Sequence, residues 1–223
     1  MTRATTAEGV GTGLLLYVVV GSGIAAERLG SDAAAQLMAH AVVIGLGLAV
    51  LIALFQTVSG SHFNPAVTLA FWRSGAITGR LAIRYGSAQL VGAVVGVVAA
   101  NFSFGVGMLQ ASTTDRDEVG MILAEFVSTF ILVLVILALV RTDRAQAVPF
   151  AVGAWVAAIV FATSSTGFAN PAVTVSRVLT DTYTGIAAAS VPGFVIAQLA
   201  AGALSLPVAQ FLFPENARQP SLN

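Results

Sequence analysis

Cysteine and lysine are both missing from the 223 residues of this chain. Without cysteine there are no disulfides, no thiolate metal sites and no cysteine nucleophile, and the redox compartment stays undetermined. Without lysine, every basic side chain is arginine. Lys+Arg and Asp+Glu stand at 10 each, so no basic excess points to nucleic acid. Charge of either sign is scarce: 9% of residues carry it, against about 25% in a soluble domain. Histidine occurs twice, as His40 and His62, well apart in sequence. With no cysteine beside them, no metal site is expected. No Ser–His set, paired carboxylates or metal-ligand cluster stands out, so we expect no catalytic residue, no enzyme activity and no cofactor.

What is present is apolar. The apolar fraction is 57% and the mean hydropathy +0.90. This composition reads as a membrane protein. Six apolar runs, at roughly 7–26, 37–57, 82–104, 119–140, 146–164 and 191–213, match the length of about 20 residues that a helical span needs. The first run ends in Glu27–Arg28 and reads as a span, not as a cleaved signal core. The connections near 27–36, 105–118 and 141–145 hold most of the charges. Residues 58–80 and 165–190 are too polar and too broken for full spans. Each nevertheless holds a short apolar stretch, Ala66–Trp72 and Ala172–Leu179, which reads as a half-helix.

Placing the N-terminus in the cytoplasm puts Arg3, Arg73, Arg80, Arg84, Arg141, Arg144 and Arg218 inside with Asp143 and Glu215. Outside fall Arg28, Arg116 and Arg177 with Glu27, Asp32, Asp115, Asp117, Glu118 and Asp181. The inner excess of arginine predicts both termini in the cytoplasm.

The chain repeats itself. Ala-Glu opens a span at Ala7 and again at Ala124; Ala-Gln marks one at Ala88 and again at Ala197. Between them, Asn-Pro-Ala-Val-Thr occurs at Asn64 and at Asn170. The chain therefore reads as one domain, 1–223, with halves of about 1–115 and 116–223. Each half has three spans, so the second enters the membrane inverted, an arrangement known from transporters. Asn is a favoured N-cap and proline suits the first helical position, so Asn64-Pro65-Ala66 and Asn170-Pro171-Ala172 each read as a helix start. Opposed half-helices would meet near the midplane with their positive ends facing. A capping Asn uses its carbonyl as acceptor, which leaves its amide group as a donor toward a shared lumen.

These motifs, with the preceding "SGSHFNPAVT", the Glu8 and Glu125 spans and the Gln89 and Gln198 spans, resemble the aquaporin and aquaglyceroporin (major intrinsic protein) family over nearly the whole chain. The resemblance implies an all-α membrane protein of six transmembrane helices plus two re-entrant half-helices, usually four pores per assembly. It implies passive movement of water or small neutral solutes across the bilayer. Glu8 and Glu125 then brace the re-entrant loops, and His62 braces its own loop. The competing reading, a coupled secondary transporter, would use Glu8 and Glu125 as ionisable groups.

The sequence departs from the family at Val173, where most members carry an arginine after the second Asn-Pro-Ala. By spacing, the other constriction positions are Ile44, Ala158 or Ile159, and Gly167 or Phe168. The loop between Thr166 and Asn170 appears one residue short of the usual pattern, which leaves the two pairs open. The expected constriction is apolar and arginine-free, hence permissive. A valine here resembles a bacterial subgroup associated with arsenic resistance, which implies neutral arsenite and methylated arsenicals as solutes. Arg177, four residues on, has two readings: pairing with Asp181 or anchoring at the interface, which we put first, and a pore-mouth role. An inner or plasma membrane location is expected.

Overall fold

A computed structural model describes residues 2–30 and 32–214; Glu215 and Arg218 of the charge count lie outside the described residues. Among the described residues, six helices are long and apolar enough to cross a membrane, the fifth counted with its lead-in turn from Ala145. They are α1 (Arg3–Leu29), α2 (Ala33–Ser59), α4 (Gly79–Ser103), α5 (Val119–Arg141), α6 (Val148–Ala162) and α8 (Val191–Leu212). Two short helices, α3 (Pro65–Arg73) and α7 (Pro171–Ser176), fill the broken connections. All six sequence-predicted spans and both half-helices are therefore present. The order long–long–short–long occurs twice.

Local chemistry sets the helix starts. Thr2, Asp32 and Thr78 accept backbone N–H groups at the heads of α1, α2 and α4. Proline opens α3 and α7 and stands in the first turns of α6 and α8. Gly60, at φ 88, ends α2 in a left-handed cap. The alternation of spans leaves two faces. The terminal face carries the start of α1 and the end of α8; the far face carries the α1–α2, α4–α5 and α6–α8 connections.

Glycine brings the spans together. A Cβ on Gly13 would lie 3.0 Å from the Gly92 carbonyl oxygen, so α1 and α4 approach at backbone distance. Gly9 and Gly13 face Gly92 and Gly96 at the same four-residue spacing, a small-residue seam of the kind that joins helices in lipid. Gly45 and Gly153 do the same for α2 and α6: a Cβ on either would stand 2.5 Å from the other's carbonyl oxygen. Each half-helix packs on a span of the opposite half, α3 on α8 and α7 on α4. The two halves thus clasp one another, and the lumen forms along the seam.

Candidate functional site: a lumen between two half-helices

Asn64 and Asn170 both have extended backbones, at φ −153 and φ −160, immediately before a helical proline. Asn64 Oδ1 accepts the Ala66 N–H at 2.8 Å, and Asn170 Oδ1 accepts the Ala172 N–H at 2.9 Å. Each amide group then reaches across the seam. Asn64 Nδ2 donates to the Ala169 carbonyl at 2.7 Å, and Asn170 Nδ2 donates to the Phe63 carbonyl at 2.8 Å. The sequence reading left both amide groups wholly to the lumen. In the structure one proton of each ties the two loops together, and one proton of each remains for the lumen that both residues line.

The loops leading into these helices hold a costly backbone shape. Ser61, Phe63, Thr166 and Ala169 have positive φ without being glycine, at a cost of order 1–3 kcal/mol each. The stabilising groups are Glu8 and Glu125, both fully buried. Glu8 accepts the His62 and Phe63 N–H groups at 2.9 and 2.7 Å, the Ser59 hydroxyl at 2.6 Å and the Gln89 amide at 2.8 Å. Glu125 accepts the Phe168 and Ala169 N–H groups, each at 2.8 Å, and the Gln198 amide at 2.6 Å. Phe63 and Ala169 are therefore held from both sides: the N–H by a glutamate of the same half, the carbonyl by an asparagine of the other. His62 lines the lumen, with Nδ1 3.1 Å from the Thr68 hydroxyl and its ring against Phe71 and Tyr85.

The lumen offers about 70 Å³ to water-sized molecules, on the order of five waters. Most of its wall is aliphatic. Val19, Leu48, Ile52, Leu132 and Ile136 contribute, and α6 adds Val148, Val152, Val156 and Val160 as one four-residue-spaced stripe. Neither Glu8 nor Glu125 lines it.

The expected constriction residues divide. Ile44, Gly167, Phe168 and Val173 line the lumen. Ala158 and Ile159 do not. Ala158 is exposed on the outside of α6, and Ile159 is buried beneath Gly167, where a Cβ would meet it at 2.7 Å. The α6 positions that face inward are Val156 and Val160, which their four-residue spacing from Val148 and Val152 signals. Both Gly167 and Phe168 line the lumen, so the choice between them does not arise. The last stretch of each loop also matches: Gly60, Ser61 and Phe63 share left-handed φ with Thr166, Gly167 and Ala169.

Arg177 overturns our preferred reading. Its side chain is buried, lines the lumen and lies over the Phe168 ring, with Cζ 3.5 Å from the centroid. Its Nε donates to the Thr184 carbonyl. Asp181 instead accepts from Thr113, through N at 2.9 Å and Oγ1 at 3.1 Å. Stacking on an apolar ring draws the guanidinium inward, away from the carboxylate expected to hold it. The lumen is consequently not arginine-free, although Ile44 and Val173 are themselves apolar. Sequence reasoning passed over two further residues. His40 lines the lumen one turn from Ile44. Arg116 reaches in from the α4–α5 connection to within 5.1 Å of the Phe168 centroid, and burial pulls its guanidinium below the usual arginine range.

Residues 1–169 match the family model described as "Major intrinsic protein". The chain is 42% identical over 212 residues to aquaglyceroporin AqpS of Rhizobium meliloti (strain 1021), covering 95% of this chain and 91% of that one. It is 34% identical over 179 residues to a probable aquaporin, TIP2-2, of Oryza sativa subsp. japonica, covering 76% of this chain and 72% of that one. In fold it resembles the X-ray structure of the aquaglyceroporin from Plasmodium falciparum, with a TM-score of 0.76 at 20% identity over 95% of both chains. With a family model matching most of its length and a relative this similar over nearly all of it, the chain belongs to the major intrinsic protein family, whose members are channels and not enzymes.

Proposed function

We propose that this channel passes small uncharged solutes without coupling: water, glycerol-like polyols and, at the upper end of size, neutral arsenite or methylated arsenicals. The observation that carries the reading is the convergence of Asn64 and Asn170 on one narrow, mostly aliphatic lumen. A solute oxygen can take the remaining amide proton of each asparagine in turn. Aliphatic walls offer no competing partner, so a hydroxylated solute is oriented without being held tightly. A cation gains nothing from the apolar walls and meets the positive ends of α3 and α7 at the centre. Ile44 and Val173 add no guanidinium to that of Arg177 among the described lining residues, which supports passage of solutes larger than water. The roles of Asn64, Asn170, Ile44, Gly167, Phe168 and Val173 in selection belong to this proposal. So do an inner or plasma membrane location with both termini in the cytoplasm, and a homotetrameric assembly.

Coupled transport has less to stand on. A carrier needs an ionisable group beside its substrate, and the acceptor oxygens of Glu8 and Glu125 are taken by loop N–H groups and glutamine amides. The test is Val173→Arg, measured by stopped-flow light scattering of proteoliposomes with a graded series of neutral polyols. The size of the largest permeant solute should fall. An unchanged cutoff would place the selecting constriction away from Val173.

A further inference from the structure

We propose that this pore carries a second, polar selection ring one helical turn beyond the Ile44–Val173 level, formed by Arg177 and His40 and matched to neutral solutes that bear a hydroxyl. The inference rests on the channel reading and deepens it. Both residues stand four positions from an apolar lining residue, Arg177 after Val173 on the α7 line and His40 before Ile44 on α2. Both displacements run toward the far face, because α7 runs outward from the midplane and α2 enters from that face.

The ring has complementary chemistry. Arg177 Nε is anchored on the Thr184 carbonyl and the guanidinium carbon lies over the Phe168 ring. Its two terminal nitrogens have no protein partner among the described residues, and they are not sealed from solvent. They are donors open to the lumen. His40 is oriented by Ser22. The Ser22 hydroxyl stands 3.1 Å from the Val19 carbonyl, an acceptor for its single proton, and 2.8 Å from His40 Nδ1. We assign the proton of that contact to Nδ1, which leaves Nε2 as a bare acceptor. A donor fork and an acceptor nitrogen thus share one passage. A hydroxyl satisfies both, giving its oxygen to Arg177 and its proton to His40. A cation could use the His40 nitrogen but is repelled by the Arg177 guanidinium beside it.

The same stretch of chain positions both. Thr184, whose carbonyl anchors Arg177, and His40 are both neighbours of Gly23, and Tyr183 packs edge-on against the His40 ring at 5.8 Å. Arg116 pins this stretch as a positioning residue, donating to the carbonyls of Gly185 at 2.9 Å and Tyr183 at 3.4 Å.

The experiment uses the full chain in proteoliposomes, with water, urea, glycerol and a five-carbon polyol as probes and an entrapped pH dye for proton leak. Arg177→Ala should raise five-carbon polyol flux relative to water and open a proton leak. His40→Leu, which keeps bulk but removes the acceptor, should lower glycerol flux relative to water by about fivefold, the weight of one hydrogen bond. Arg177→Lys keeps the charge without the planar fork and should keep protons out while altering the polyol profile. This holds the proposal open to refutation if Arg177→Ala fails to insert. Solute profiles identical to the parent in the inserted Arg177 variant and in His40→Leu would overturn the ring and leave the channel standing. A parent no more permeable than empty vesicles would overturn the channel reading and the ring with it.

Discussion

At the scale of the residue, Glu8 shows how a charge comes to be tolerated inside a span. Four donors converge on its two oxygens, and two of them are backbone N–H groups with no other partner in the loop. Replacing it by leucine strands both, at about 1–3 kcal/mol for each buried group. We expect Glu8→Leu to lower the apparent melting temperature in detergent well before it alters solute preference. A variant that melts like the parent but loses proton-coupled uptake would argue for a relay instead. Asn64 does two tasks with one side chain, and aspartate separates them. Asn64→Asp keeps the cap acceptor but loses the donor to the Ala169 carbonyl and sets negative charge in the lumen. It should admit protons or small cations that the parent excludes, seen as faster dissipation of a pH gradient in vesicles. Residues of this kind were readable in the sequence. Asn-Pro repeated in an apolar chain leaves few alternatives, and a glutamate in each half at corresponding places asks for a buried partner. Arg177 was not readable. Asp181 lies four residues away, and local spacing favours that pair. The Phe168 ring that captures the guanidinium is nine residues back in sequence, across a turn whose path spacing does not reveal.

At the scale of the element, the half-helices are too short to be stable alone, since isolated helices of fewer than about 12 residues are marginal in water. They persist because each is capped at one end by its own asparagine, packed along its side on the opposite half, and held through its lead-in loop by a glutamate. The span pairs depend on glycine. Replacing Gly92 by leucine would drive a side chain into the backbone of α1 at Gly9, so α1 and α4 must separate. Gly92→Leu should reduce the yield of folded protein and broaden its elution, whereas Gly86→Leu, at a helical glycine with open space around it, should not. The six spans and their repeat were visible as long apolar runs. The facing of α6 was less so. Nearly every residue of that helix is apolar, so hydropathy carries no direction, and counting back from the motif selected Ala158 and Ile159. The physical signal lay in the four-residue spacing of its valines and in the glycine that seats Gly45.

At the scale of the molecule, the two halves form one passage because the bonds that matter most run between them. Asn64 ties to the second loop and Asn170 to the first, so neither half closes a lumen by itself. The described lining of that passage joins aliphatic walls, the asparagine pair, the apolar Ile44 and Val173, and Arg177 and His40. None of the described residues lining the lumen carries a carboxylate, and that arrangement favours neutral cargo moving down its gradient. The most direct test of this account is the swelling of proteoliposomes containing the full chain under a glycerol gradient, followed by stopped-flow light scattering. The account predicts flux well above that of empty vesicles, rising in proportion to glycerol concentration and indifferent to an imposed proton gradient. Flux that saturates at low glycerol concentration, or that follows the proton gradient, would contradict it.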